Sequence, residues 1–310
     1  MGKTNTKLTR FFALAVIALL HSNIATAQMT FQSSRHIEPA YEGWRQNDDG
    51  TFSLIFGYFN ENWEEQPNIP IGENNQFSPG DIDRGQPTHF LPRRNRFTFE
   101  VVVPADWGDK ELVWTLTSPN GESRKAFASL QADYVIDNVV IASETGSLGA
   151  GTSSPESRSN QPPRVEILGD SPRSVRVGED LVVRARVTDD GLPRPTNLAA
   201  LEVPQNAMAR MMRPPSRPTV NKINGLFLSW NVYRGPEKAG FSPPQVKPWE
   251  DTRTSANSPW GALWTPPSIP ADGIYEVSVK FDAPGTYVLW ARADDGGLYF
   301  DQYLTVEVVE

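Results

Sequence analysis

The chain has 310 residues, with 37 Asp and Glu against 29 Lys and Arg for a net charge of −8, and it has no cysteine. The acidic balance argues against nucleic acid or an anionic membrane as partners, because both demand clustered Lys and Arg. The missing thiols exclude disulfide staples, a lipidated cysteine, a thiolate zinc site and a Cys nucleophile.

Residues 1–27 combine Lys3, Lys7 and Arg10, an apolar run from Phe11 to Leu20, and Ala25-Thr26-Ala27. A basic start, a short apolar core and an A-x-A site are the features of a secretory signal peptide, and the run is too short to span a bilayer. The sequence therefore predicts cleavage before Gln28 and a periplasmic or extracellular protein without a membrane span. Abundant Pro and Gly with little helical periodicity predict an all-β chain.

Phe52, Leu54, Phe56 and Tyr58 alternate, as do Phe97, Phe99, Val101 and Val103, and then Leu112, Trp114 and Leu116. Strands with one apolar face must pack against a second sheet, so residues 28–142 are expected to form a β-sandwich. Residues 60–96 interrupt the pattern with Asn, Pro, Gly and charge, and a loop this long is either functional or folded on itself. Residues 143–162 are rich in Gly, Ser and Pro and predict a flexible linker. Beyond it, Leu181–Val187, Leu226–Tyr233, Tyr275–Phe281, Tyr287–Ala293 and Leu304–Val308 alternate or run apolar between turn signals, which describes a second sandwich over 163–310.

The segments LSWNVYRGPEKAGFSPP (Leu228 to Pro244) and FDAPGTYVLWARADDGG (Phe281 to Gly297), with a closing TVEV, resemble the PKD-like and related immunoglobulin-like repeats of bacterial exported proteins. The resemblance implies an immunoglobulin-like fold and an extracellular binding or spacer role, and brings no catalytic residue. The chain departs from the pattern by insertions over 192–224 and 237–272. DRGQPTHFLPRR (Asp83 to Arg94) is similar to a stretch in uncharacterised exported bacterial proteins, a family with no activity to carry over.

In an immunoglobulin-like arrangement Asp189, Asp190, Asp294 and Asp295 would meet at the B–C and F–G end, where four carboxylates could hold Ca²⁺. Asp-Asp-Gly is equally ordinary turn chemistry, the reading that the unspaced pattern favours. No other cofactor is implied. For partner binding, Arg84, His89, Arg93, Arg94 and Arg96 set a basic patch on an acidic chain, and Arg forks suit carboxylates. The alternative is that Asp81, Asp83 and these arginines pair with each other to pin the loop. Trp249, Trp260 and Trp264 could stack on sugar faces or pin a long insertion to the core. Met208, Met211 and Met212 among arginines could form an adaptable protein-binding surface or a turn packed on the sheet edge.

No nucleophile elbow, phosphate loop or His pair is present, so no enzyme is expected. Glu61, Glu64 and Glu65 beside Trp63 are the nearest approach to a carboxylate hydrolase site. The sequence thus predicts an exported, non-catalytic binding or assembly protein of the cell envelope that contacts protein or polysaccharide. A carbohydrate-binding module is the alternative within binding, and a hydrolase in the first half the alternative from another class.

Overall fold

The structure is a computed structural model that describes residues 33–145, 154–195, 197, 208, 224–247 and 269–310. Its first half contains β1 (Ile37–Gln46), β2 (Phe52–Asn60), β3 (Asn75–Ser78), β4 (Arg93–Val103), β5 (Leu112–Thr117) and β6 (Ser123–Ala128). They form two antiparallel sheets, β1-β2-β4 and β3-β5-β6. The alternation read from the sequence builds the core between them. Leu54, Phe56 and Tyr58 of β2 and Phe99, Val101 and Val103 of β4 meet Phe77, Trp114 and Leu116 from the facing sheet. The rings of Phe56, Phe77, Phe99 and Trp114 lie 5.1–6.1 Å apart in stacked and edge-on contacts, a geometry that adds to their large burial.

The irregular stretch 60–96 is folded on itself around fully buried amides. Asn75 donates from Nδ2 to the carbonyls of Ile69 and Pro87 at 2.9 and 2.8 Å, and its Oδ1 accepts from Trp114 Nε1 at 3.0 Å. Side-chain amides here satisfy backbone groups that no ladder reaches, which lets a non-repetitive segment be buried at low cost.

The second half contains β7 (Arg164–Leu168), β8 (Arg173–Arg176), β9 (Asp180–Thr188), β10 (Phe227–Arg234), β11 (Ala239–Ser242), β12 (Ile274–Phe281), β13 (Gly285–Asp294) and β14 (Tyr299–Val309). One sheet runs β11-β12-β9-β7 and the other β10-β13-β14-β8, with β8 parallel to β14 and the other pairs antiparallel. Taken as strands A, A′, B, C, D, E, F and G in chain order, these are the A-B-E-D and A′-G-F-C sheets of an immunoglobulin-like sandwich. Two side chains agree with that assignment: Trp230 of β10 is fully buried in the core, and Tyr287, at the start of β13, donates from its hydroxyl to Ala283 O at 3.0 Å. The second is the tyrosine corner at the E–F turn. The fold is all-β, two sandwiches in one chain, as the strand patterns predict.

Between the halves lie a helix, Asn138–Thr145, and a shorter one, Pro155–Ser159. Ser154 caps the second, its Oγ accepting from Ser157 N while Ser157 Oγ accepts from Ser154 N, a reciprocal box that satisfies two orphan donors. Within the stretch read as a linker, residues 143–145 and 155–159 are therefore helical. The described residues from Ser33 to Glu310 fall in one compact unit.

Candidate functional site

Three strands are buried on both faces, and that places the site. In β2, Ser53 and Ile55 point away from the sandwich core and are still 3% and 0% exposed. In β13, Tyr287, Leu289, Ala291 and Ala293 fill the core, yet outward-facing Trp290, Arg292 and Asp294 are equally inaccessible. β10 is buried along nearly its whole length. What covers these faces is the other half of the molecule. Ile55 and Phe97 from the first sandwich, Ile136, Ile141 and Ala142 from the connection, and Leu298 from the F–G turn make one apolar cluster.

Arg292 is the polar centre of this junction. Its guanidinium is fully buried and grips Asp301 with two bonds, Nε to Oδ1 at 2.7 Å and Nη2 to Oδ2 at 2.6 Å. Trp290 Nε1 donates to the same Oδ1 at 2.7 Å. Across the junction Arg292 Nη2 donates to Phe97 O at 2.7 Å. The cation also lies 4.0 Å from the Tyr299 ring centroid and 4.4 Å from that of Trp290. A planar fork that bonds a carboxylate while stacking on rings is a task for Arg that Lys cannot do. Phe97 adopts φ +48°, a left-handed conformation that costs a side-chain-bearing residue energy. The bond to its carbonyl and the stack of its ring on Tyr299, 6.1 Å away and tilted by 11°, hold it there.

A second set of contacts fastens another part of the junction. Arg234 makes a two-pronged pair with Asp83, at 2.7 and 3.0 Å, and donates from Nε to Gln86 O at 2.9 Å. The Arg234 pair and the Gly85 N–H hold the Asp83 carboxyl below its ordinary range. Tyr233 donates from its hydroxyl to Gly85 O, and Tyr233 O accepts from Thr88 N and His89 N, both at 3.1 Å.

These contacts leave a cleft of about 710 Å³ whose walls include Phe97, Phe99, Tyr233, Tyr299, Phe300 and Tyr303. Small-molecule sites usually occupy about 300–1,000 Å³ and favour domain junctions. Polar groups reach it as well. Arg45 pairs with Glu100 at 2.6 Å, and Arg164 lies 5.1 Å from the Phe300 centroid with its head in solvent. Tyr303 is 43% exposed. Burial first, and the nearby Asp301 charge second, push its hydroxyl pKa above the ordinary range, so Tyr303 presents a neutral hydroxyl that can donate or accept.

The arginines predicted as a partner surface are partly exposed, and each is engaged by other groups of the chain. Arg94 pairs with the buried Glu42 at 2.7 Å, Arg96 pairs with Glu144, and Arg93 lies over Phe59 and Trp63 at 4.7 and 4.4 Å while donating to Glu61 O. Arg84 donates to Asp81 O at 3.2 Å. These contacts tie the 60–96 segment down through Glu42, Glu144 and ring faces, while the Asp83 carboxylate pairs with Arg234. His89 is 2% exposed, between Asn68 Oδ1 at 2.7 Å and Gln66 at 3.0 Å. Asn68 Nδ2 is committed to Pro236 O at 2.9 Å. Its oxygen must then accept from His89 Nδ1; Nε2 faces Gln66 Oε1, so a neutral ring requires the Gln66 amide to turn and present its NH2 to Nε2. Burial pushes the imidazole pKa down to about 4.

The four aspartates lie in pairs after β9 and at the end of β13, and their oxygens act as turn acceptors. Asp189 Oδ2 takes Gly191 N, Asp190 Oδ1 takes Leu192 N, Asp294 Oδ1 takes Gly296 N, and Asp295 Oδ1 takes Gly297 N and Leu298 N. Asn160 Nδ2 donates to the second oxygen of Asp295 at 3.1 Å. Among the described residues no three carboxylates or imidazoles are grouped to hold a metal ion. Burial raises the pKa of Asp294 to about 6, and burial with the neighbouring Asp294 charge raises that of Asp295 to about 8. The F–G turn after β13 meets the connection through Leu298, so it is buried in the junction.

Glu61 pairs with Arg35 at 2.9 Å and Glu65 accepts from Ser34 N at 2.5 Å, both tying down the chain around Trp63. Trp249, Trp260, Trp264, Met211 and Met212 lie outside the described residues, and Met208 is exposed. Sequence reasoning missed the junction residues Tyr233, Trp290, Arg292, Asp301 and Tyr303. The available signal was aromatic residues at strand positions that alternation assigns to solvent, Trp290 between Leu289 and Ala291 above all.

No protein-family model matches the chain, and no curated protein matches its sequence. Solved structures that it aligns with include domains 4 and 5 of the S-layer protein SbsC, at 12% identity over 89% of this chain and 98% of that one, TM-score 0.22. The D00-D0 domain of intimin aligns at 10% identity over 89% of this chain and 100% of that one, TM-score 0.23. Immunoglobulin domains 1–4 of Sidekick-1 align at 10% identity over 90% of this chain and 51% of that one, TM-score 0.22. At these TM-scores the alignments add nothing to the fold assignment, which stands on strand order and the tyrosine corner.

Proposed function

We propose that this is an exported, non-catalytic binding or assembly protein of the cell envelope, and that it recognises its partner at the junction of its two sandwiches. The observation that carries the reading is the aromatic cleft, built from both halves and held by the Arg292–Asp301 and Arg234–Asp83 pairs. Recognition sites depend on preorganisation, and side chains already fixed by packing lose less freedom on binding. Export rests on residues 1–27.

The cleft favours a saccharide-bearing partner as a second reading. Exposed Tyr303 and the Arg164–Phe300 pair offer ring faces and polar heads side by side, and sugars present apolar faces edged by hydroxyls. The test is crosslinked recovery of partners from the native envelope by the wild type and by Tyr303→Ala with Arg164→Ala, followed by a glycan array. The reading expects a partner retained by the wild type and lost by the double variant. Equal recovery by both proteins would move recognition away from the cleft, and recovery of no protein or glycan would leave a spacer.

A further inference from the structure

The charges on the described walls of the junction cleft are matched with one exception. Arg45 pairs with Glu100, Arg234 with Asp83, and Asp301 with Arg292. Arg164, the first residue of β7, is the remaining charged residue there. Glu166, the one acid of β7, is taken by Arg186 at 2.6 Å, and among the described residues no carboxylate pairs with Arg164. Its guanidinium lies over the Phe300 ring, 5.1 Å from the centroid, with its outer side in solvent. A guanidinium held over a ring keeps its in-plane N–H fork for a second partner. In a chain of net charge −8, a cation that the chain's own acids leave unmet can draw an anion from outside.

The neighbouring walls fit the body of a sugar. Tyr303 is 43% exposed, and its ring is backed by Tyr233 with centroids 4.9 Å apart, so the face it offers is already fixed. Glu100 and Asp301, both neutralised by arginines, keep lone pairs that can accept from hydroxyls, and Asn138 adds an amide. We infer that the saccharide taken by this cleft is acidic, a uronate-bearing chain whose carboxylate is gripped by the Arg164 fork while a sugar face lies on Tyr303. This rests on the saccharide reading of the cleft and adds to it the charge of the ligand. One unmatched cation suits the single charge of a carboxylate, whose two oxygens meet two parallel N–H groups. A phosphate monoester would bring a charge of about −1.5 to −2 and call for more than one.

The experiment is calorimetric titration of the full chain with trigalacturonate and with a glucuronate-bearing tetrasaccharide, each beside its methyl ester, which keeps the rings and loses the charge. The wild type should bind at least one acid with saturable heat, and the matching ester about three- to tenfold more weakly, the worth of one forked ion pair near the surface. Arg164→Gln, a change at an exposed position, should abolish that preference and leave acid and ester alike, because the coupling between this cation and the carboxylate is what both changes remove. Tyr303→Ala should weaken acid and ester together. Equal binding of acid and ester by the wild type, or a preference that persists in Arg164→Gln, would overturn the inference and leave the saccharide reading standing. No saturable heat with any of these sugars up to about 20 mM, a range that covers weak sites, would overturn both.

Discussion

Arg292 shows how one residue can be costly alone and indispensable in place. Its fully buried charge is tolerable because Asp301, two rings and the Phe97 carbonyl surround it. Removing one member of such a pair strands the other, at a cost of about 3–5 kcal/mol, whereas replacing both by apolar residues is far less damaging. Urea unfolding should therefore show a large loss for Arg292→Met and a smaller one for Arg292→Met with Asp301→Leu. Asp294 and Asp295 give the protein a pH dependence. The folded state keeps protons on carboxyls that the unfolded chain releases near pH ~3.9, so their contribution is complete below that pH and is lost as pH rises through about 6 and 8. His89 acts in the opposite sense. Its folded pKa of about 4 lies below the unfolded value, so its contribution is present above pH ~6.5 and is lost as pH falls toward 4. Above pH ~6.5 the aspartates act alone, and stability should fall by roughly 1–2 kcal/mol between pH ~6.5 and ~8.5. Asp295→Asn should flatten that decline in urea midpoints measured across the window. The sequence made these aspartates visible as turn residues. It could not reveal their burial, because groups distant in the chain, Asn160 and Gly225, meet Asp295.

At the level of elements, strands were legible where one face is solvated and opaque where both are covered. β5 and β9 follow simple alternation, and their buried positions match the pattern read from the chain. β2 and β13 obey it on the core side only, since their outer residues meet segments distant in the chain, Ile136 and Leu298 beside Ile55, and Phe97 beside Arg292. Residues 60–96 show the reverse case. Asn75 and Gln86 look like ordinary loop residues until the geometry shows them fully buried and bonded to backbone carbonyls. Gly57 is a marker of close approach. It sits at the register shift between β2 and β4, and a Cβ there would lie 2.4 Å from Asn95 O and 2.2 Å from the Glu42 carboxylate that Arg94 holds. Gly57→Ala should destabilise the protein by about 1–3 kcal/mol, the usual cost of overpacking, as read by its thermal midpoint. An unchanged midpoint would mean that β2 and β4 have room to separate.

For the whole molecule, the junction changes what two sandwiches in one chain can do. Modules on a free linker gain avidity by engaging separate sites. Here the connection carries helices, its residues join the apolar cluster, and the Arg234–Asp83 pair and the bond from Arg292 to Phe97 O fasten the halves together. The molecule therefore presents a composite cleft, and the F–G turn, through Leu298, is part of what holds the halves. The absence of cysteine makes this claim directly measurable, because two introduced thiols can be labelled without competition. Spin labels at exposed Phe127 in the first sandwich and exposed Val182 in the second would report the distance between halves by pulsed electron resonance. The locked junction predicts a single narrow distance distribution, broadened when Arg292→Met and Arg234→Ala are combined. A broad distribution in the wild type, unaffected by those changes, would contradict it.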